Sequence, residues 1–411
     1  SPGDLVGHDL GGYEFDHLIG GSAITWLRRK GRSLSDAGRP WSLFVSLVNP
    51  HDIMYFNTDE PGKPVQDTGK LLKRATPAPN HALYRKTWDM PVAKTLREPL
   101  DADARPKAHG EYLKVWDSVL GHIPPEEARW RRFNDFYINS IRSVDIQLRN
   151  ILDELDALGL AERTIIVFTA DHGEMAGAHG LRGKGPFAYE ESIHIPFVVV
   201  HPDVKGGQEC RALTSHIDVA PTLLSLAGVS ATHRSESAGR DLPGKDLASA
   251  LAQAAAADVH AARESVLFTY SALLCNDSEL IKACGEAVAE GRDARAALKA
   301  SGYEPDLKKR GSLRTVFDGR YKFSRYFGPV DRHRPTTLDD LYKPNDVELF
   351  DLRPDPAETT NLAADRARHE DPIAAMSAKL EAAIQAEIGV DDGREMPELP
   401  RVTWYIDSAD L

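Results

Sequence analysis

Asp171 and His172 stand side by side after a short apolar run, Thr164 to Thr169, and open a glycine-rich stretch, ADHGEMAGAHGLRGKG. A run of that kind reads as a buried strand, and open α/β sheets bind ligands beyond the carboxyl ends of their strands. An acid and an imidazole in adjacent positions there can both turn toward one cation, because the strand's alternation has ended. Lys184, set between Gly183 and Gly185, can bring its ammonium close to an oxyanion. His51, in NPHD, follows a second apolar run, Trp41 to Val48, which places its backbone at the same sheet edge. An imidazole there can donate to an ester oxygen or act as a general acid near neutral pH. Together these groups suit chemistry on an oxyanion. A divalent cation would neutralise non-bridging oxygens as a Lewis acid, and the lysine would meet charge as it develops. Each feature also has a plainer reading: a turn-capping Asp-His pair, a solvated loop lysine, and a histidine capping the Asn-Pro turn.

The elements that must position these groups read as α/β. Phe133, Tyr137, Ile141, Val144, Leu148, Ile151, Leu155 and Leu158 recur at steps of three and four, the apolar stripe of a long helix packed on a sheet. Gly159 ends it, and the Thr164 to Thr169 strand follows at once, as a crossover helix leads into a parallel strand. Trp41 to Val48 and Ile195 to Val200 read as further strands, the latter edge-tolerant because of Pro196. Residues 57–125 carry many prolines and charges without a period, so they are expected to form an insertion over the active-site face. Val266 to Leu274 reads as a strand, and Glu279 to Ala300 as helix. Arg314 to Tyr326 reads as a hairpin turning at Asp318-Gly319, and Pro372 to Ala386 as a closing helix capped by Asp371. The expected architecture is a mostly parallel sheet flanked by helices over residues 1–309, with a smaller α+β subdomain over 310–411.

Several of these pieces, in order, resemble the sulfatase family of the alkaline-phosphatase superfamily: TADHGE, GAHGLRGKG, AYEES and HIPFVVV. SLFVSLVNPHDIMYF, SHIDVAPTLLSLAGV, RTVFDGRYKFSRY and ELFDLRPDPAETTNLA are similar to further family elements along nearly the whole chain. The resemblance implies a sulfuric ester hydrolase in which Asp171 and His172 ligate a divalent metal and His51 and Lys184 contact substrate. A phosphonate or phosphate monoester hydrolase on the same scaffold, or a non-catalytic fragment, stays open as an alternative. The nitrogen ligand favours a transition metal by ligand preference, while the sulfatase motifs favour calcium. Ca2+ is therefore expected, with Mn2+ and Zn2+ open. The family's nucleophile, a formylglycine matured from Cys/Ser-X-Pro-X-Arg, has no counterpart around Cys210, Cys275 or Cys284. The opening YEFD, Tyr13 to Asp16, resembles an element that normally follows that motif. The nucleophile and two acidic metal ligands are accordingly expected on an N-terminal segment needed to complete the site.

Within the family pattern, His179 is expected to order its loop. Tyr189, Glu190 and Glu191 are expected to anchor that loop, and Asp218 to start a helix. Glu174 reads either as a partner of His172 or as a solvated acid. The hydrophobic fraction of 42% and charged fraction of 27% suit a soluble globular protein. The net charge of -12 argues against a phosphate-backbone surface, so no nucleic acid is expected. No run of eighteen apolar residues predicts a membrane span, and three scattered cysteines make no disulfide framework. The partner expected is a small-molecule sulfate ester; the compartment stays open.

Overall fold

The computed structural model describes residues 11–66, 79–271 and 277–396. Cys275, the far end of the Val266 to Leu274 run and part of the 57–125 insertion lie outside them.

Helix α1 (Gly12–Trp26) packs along the long helix α3 (Glu127–Ala157), which the apolar stripe anticipates. Their far ends share a core of Leu27, Leu155 and Leu160. Gly159, at φ 65°, then turns the chain toward strand β1 (Ile166–Thr169). The insertion is mostly irregular where described, but it contains helix α2 (Lys107–Leu120). Tyr112 of α2 is fully buried beside Met175, Leu181 and Phe187, beneath the glycine-rich loop.

Strand β1 pairs with β2 (Phe197–Val200) in antiparallel register, Ile166 opposite Val200 and Thr169 opposite Phe197. A second, four-stranded sheet runs β3 (Val266–Tyr270), β4 (Ser312–Phe317), β5 (Tyr321–Phe327), β6 (Asp346–Asp351), every neighbour antiparallel. The expected parallel pairing is thus not found among the described residues. The reason is local: 170–196 returns to the sheet through loops and the four-residue helix α4 (Glu190–Ile193), with no crossover helix between β1 and β2. Trp41 to Val48 forms no strand either, since it has no ladder partner among the described residues. It alternates in exposure, with Phe44 79% exposed. Phe168, Val198 and Val200 share one face of the β1–β2 ladder, and all three are exposed.

The second sheet draws β3 from before residue 310, so it reaches back across the expected division. Its hairpin turns at Gly319, φ 89°. Helix α5 (Glu370–Glu387) starts two residues earlier than expected and buries Ile373, Met376, Leu380 and Ile384 against Val316, Phe323 and Leu349. The span Glu279 to Ala300 divides into two helices, Ser278–Ala289 and Ala294–Ser301.

Candidate functional site

Where β1 ends, Asp171 and His172 face each other. His172 Nδ1 lies 2.8 Å from the Gly173 carbonyl oxygen. A carbonyl only accepts, so Nδ1 donates, which in the neutral ring leaves the lone pair on Nε2. Nε2 is 3.5 Å from Asp171 Oδ2. The Asp171 carboxylate is largely exposed, and its other oxygen accepts the His172 backbone N–H at 3.0 Å. One imidazole nitrogen and one carboxylate oxygen therefore open onto a common point. As a test for a metal site, the pair fits two positions of a coordination sphere, with tautomer and ring orientation already set. No group of three or more His, Cys, Asp or Glu that could hold a metal is found among the described residues.

Glu174 links this pair to the lysine. Its Oε1 accepts the backbone N–H of Gly183 at 2.6 Å and of Ala176 at 3.1 Å. Burial raises its pKa, against the pull of those N–H groups and of nearby Lys184 and Arg182. Glu174 is thus neither a solvated acid nor a partner of His172; it closes the loop on which Lys184 rides. Lys184 Nζ lies 3.9 Å from the Met54 sulfur, on the 3-10 turn His51–Tyr55. The lysine and the turn bearing His51 therefore meet across 130 residues of sequence.

That turn is stapled to α1 in both directions. Asp16 accepts the backbone N–H of Val48 at 2.6 Å and of Asn49 at 3.0 Å. Asp52 in return accepts the N–H of Gly12 at 2.8 Å and of Tyr13 at 3.1 Å, serving the helix N-terminus. A Cβ on Gly12 would stand 2.7 Å from the Asn49 nitrogen, so only glycine permits this approach. The YEFD motif carries Asp16 in plain sight, but its partners lie more than thirty residues away and the motif alone does not reveal them.

The remaining motif residues build the floor. His179 is buried, stacks on Tyr189 at 3.8 Å and donates from Nδ1 to Glu98 at 2.7 Å. Burial, then the Arg105 charge, lowers its pKa to about 3, so it stays neutral. Tyr189 and Tyr326 both donate to the buried Glu348 carboxylate, at 3.3 and 2.8 Å. Lys322, fully buried, bridges Glu190 at 2.5 Å and Glu358 at 2.9 Å. Tyr189 and Glu190 thereby fasten the loop to the second sheet. Asp218 stands at the start of the helix Val219–Leu226, as expected, though its carboxylate serves a capping box led by Ser215 rather than capping that helix itself. A cavity of about 410 Å³ beside α1, lined by Tyr13, His17, His81 and Tyr84 among others, includes none of Asp171, His172, Lys184 or His51.

A family model described as Sulfatase matches residues 6–229, more than half of the sequence. The chain belongs to the sulfatase family. Arylsulfatase K of Danio rerio is 30% identical over 217 residues, which is 53% of this chain and 38% of that protein. The chain thus spans well under two thirds of the curated relatives it matches. Among solved structures, a 2-O GAG sulfatase superposes with a TM-score of 0.60 at 20% identity, covering 94% of this chain and 66% of the other. The phosphonate monoester hydrolase of Agrobacterium radiobacter superposes with a TM-score of 0.54 at 21% identity, covering 98% and 69%. These likenesses establish the α/β fold of the alkaline-phosphatase type. No helix among the described residues is long and apolar enough to cross a membrane.

Proposed function

We propose that this chain supplies the metal-binding and charge-stabilising part of a sulfuric ester hydrolase site acting on a small-molecule sulfate ester. The observation that carries the reading is the Asp171–His172 pair, its Nε2 open beside a carboxylate and tied through Glu174 to the Lys184 loop. Asp171 and His172 would hold a divalent metal, Ca2+ in the first instance, which when bound supplies Lewis-acid neutralisation of sulfate oxygens. Lys184, from its loop, and His51, from the turn that this loop meets at Met54, would then face the ester. The ammonium stabilises charge on an ester oxygen, and the imidazole holds or delivers the proton of the leaving oxygen.

The nucleophile and the other metal ligands would come from a segment of the same polypeptide outside these 411 residues. Two observations support that part. The solved 2-O GAG sulfatase has about a third of its length beyond the part this chain covers. The uncovered face of Phe168, Val198 and Val200 is also the kind of apolar patch that further packing hides. The test is hydrolysis by the full polypeptide of matched aryl sulfate and aryl phosphonate esters, with and without added Ca2+. Sulfate turnover that depends on the metal supports the reading; phosphonate turnover alone would overturn it.

A further inference from the structure

We infer that His216 is a positioning residue for the Asp171–His172 pair, clamping the strand end from which both donors project. Its consequence for metal binding rests on the reading above; the clamp itself rests on geometry. His216 Nε2 lies 2.8 Å from the Ala170 carbonyl oxygen. That oxygen can only accept, so Nε2 carries the proton and donates. Ala170 directly follows β1 and directly precedes Asp171. On the other side of the pair, the Gly173 N–H donates to the Ser192 carbonyl at 2.8 Å. A Cβ on Gly173 would stand 2.0 Å from the Glu191 carbonyl oxygen, so that contact requires glycine. The two candidate ligands are therefore strung between two fixed points, one made by His216 and one by backbone.

The clamp is anchored far more firmly than an exposed imidazole needs for its own sake. Ser215 and Asp218 form a reciprocal capping box around it, with the Ser215 N–H 2.8 Å from Asp218 Oδ2. Asp218 is fully buried, and its Oδ1 accepts the Lys245 N–H at 2.7 Å and the Arg263 guanidinium. Arg263 in turn donates to Glu387 of α5 at 2.7 Å. The turn that presents His216 is thus tied to a buried charge network, while its imidazole is exposed and packs little. What the imidazole secures is the peptide beside the donor pair. Groups that orient ligands from behind commonly matter 10–100-fold, by rough order, to metal affinity.

The test uses the full polypeptide as wild type, His216→Ala and His216→Gln, at one fixed pH. Calorimetry reads Mn2+ affinity, and hydrogen exchange reads the Gly173 amide in the metal-free protein. His216→Ala should weaken Mn2+ binding by about 10–100-fold and speed exchange at Gly173. The metal-free melting temperature should stay near that of wild type, because an exposed side chain carries little packing. His216→Gln, which keeps an N–H donor at similar reach, should recover most of both losses. Unchanged exchange and affinity in His216→Ala would overturn the inference. So would a glutamine variant as impaired as alanine, or a fall in metal-free melting temperature large enough to explain the lost affinity. A wild type that takes up no Mn2+ would fail the metal reading alone, since exchange at Gly173 still decides the clamp.

Discussion

The Glu174 carboxylate accepts the Gly183 backbone N–H at 2.6 Å, closing the loop that carries Lys184 onto the loop that follows His172. Removing the carboxylate leaves the Gly183 and Ala176 donors without their acceptor. Glu174→Ala should therefore destabilise the full polypeptide by about 1–3 kcal/mol for the unmet donors. Glu174→Gln keeps an acceptor oxygen and should recover most of that loss. Denaturant unfolding of the three proteins checks this, and equal midpoints for wild type and alanine would show that the loop is held by other contacts.

Asp16 offers a parallel case at the turn bearing His51. Asp16→Ala frees the Val48 and Asn49 N–H groups, so it should lower both stability and sulfatase turnover. The stability cost should again be about 1–3 kcal/mol. An alanine variant that melts with wild type would contradict the staple between α1 and this turn.

Glu348 should give stability a pH dependence. Burial raises its pKa from 4.5 to about 7, although Tyr326 and Tyr189 both donate to it. A raised folded-state pKa means that this group's stabilising contribution is complete below its unfolded value and is lost as pH rises through about 7. Glu348→Gln cannot ionise, so its melting temperature relative to wild type should climb between pH 5 and pH 8. The climb should correspond to a few kcal/mol, since each tenfold difference in proton affinity between the folded and unfolded chains is worth about 1.4 kcal/mol. Parallel melting profiles across that range would mean the carboxyl titrates normally in the fold.

Lys184 separates a catalytic ammonium from a loop lysine. In the full polypeptide Lys184→Ala should lower kcat for aryl sulfates by roughly 10²–10³, with the melting temperature nearly unchanged. If the ammonium acts on the bridging oxygen, the loss should shrink for substrates with good leaving groups. Equal activity across a series of phenyl sulfates would return Lys184 to a solvated role. The 411-residue chain by itself should hydrolyse aryl sulfates no faster than a blank, because its described residues offer only part of a metal site; turnover by that chain would contradict this.

Local features were the most legible in the sequence. The helix carrying the stripe from Phe133 to Leu158, the stop at Gly159 and the turn at Asp318-Gly319 depend on nearby residues and lie where periodicity and turn chemistry put them, although Ile141 of the stripe is exposed and the helix packs chiefly along α1. Pairing direction was not legible, because an apolar run such as Trp41 to Val48 becomes a strand only against a neighbour. The positioning groups escaped for the same reason. Glu174 works through a glycine nine residues on, His216 through a carbonyl 46 residues back, and Lys184 meets a turn 130 residues away. A motif can nominate residues for a site, but it does not say what holds them there.

Anomalous scattering from crystals of the full polypeptide grown with Mn2+ tests the central claim most directly. The account predicts a peak within about 2.0–2.6 Å of an Asp171 carboxylate oxygen and His172 Nε2, the range for such ligands, with Lys184 and His51 facing the same open side. A metal bound elsewhere, or Lys184 and His51 turned to a different face from the occupied pair, would contradict it.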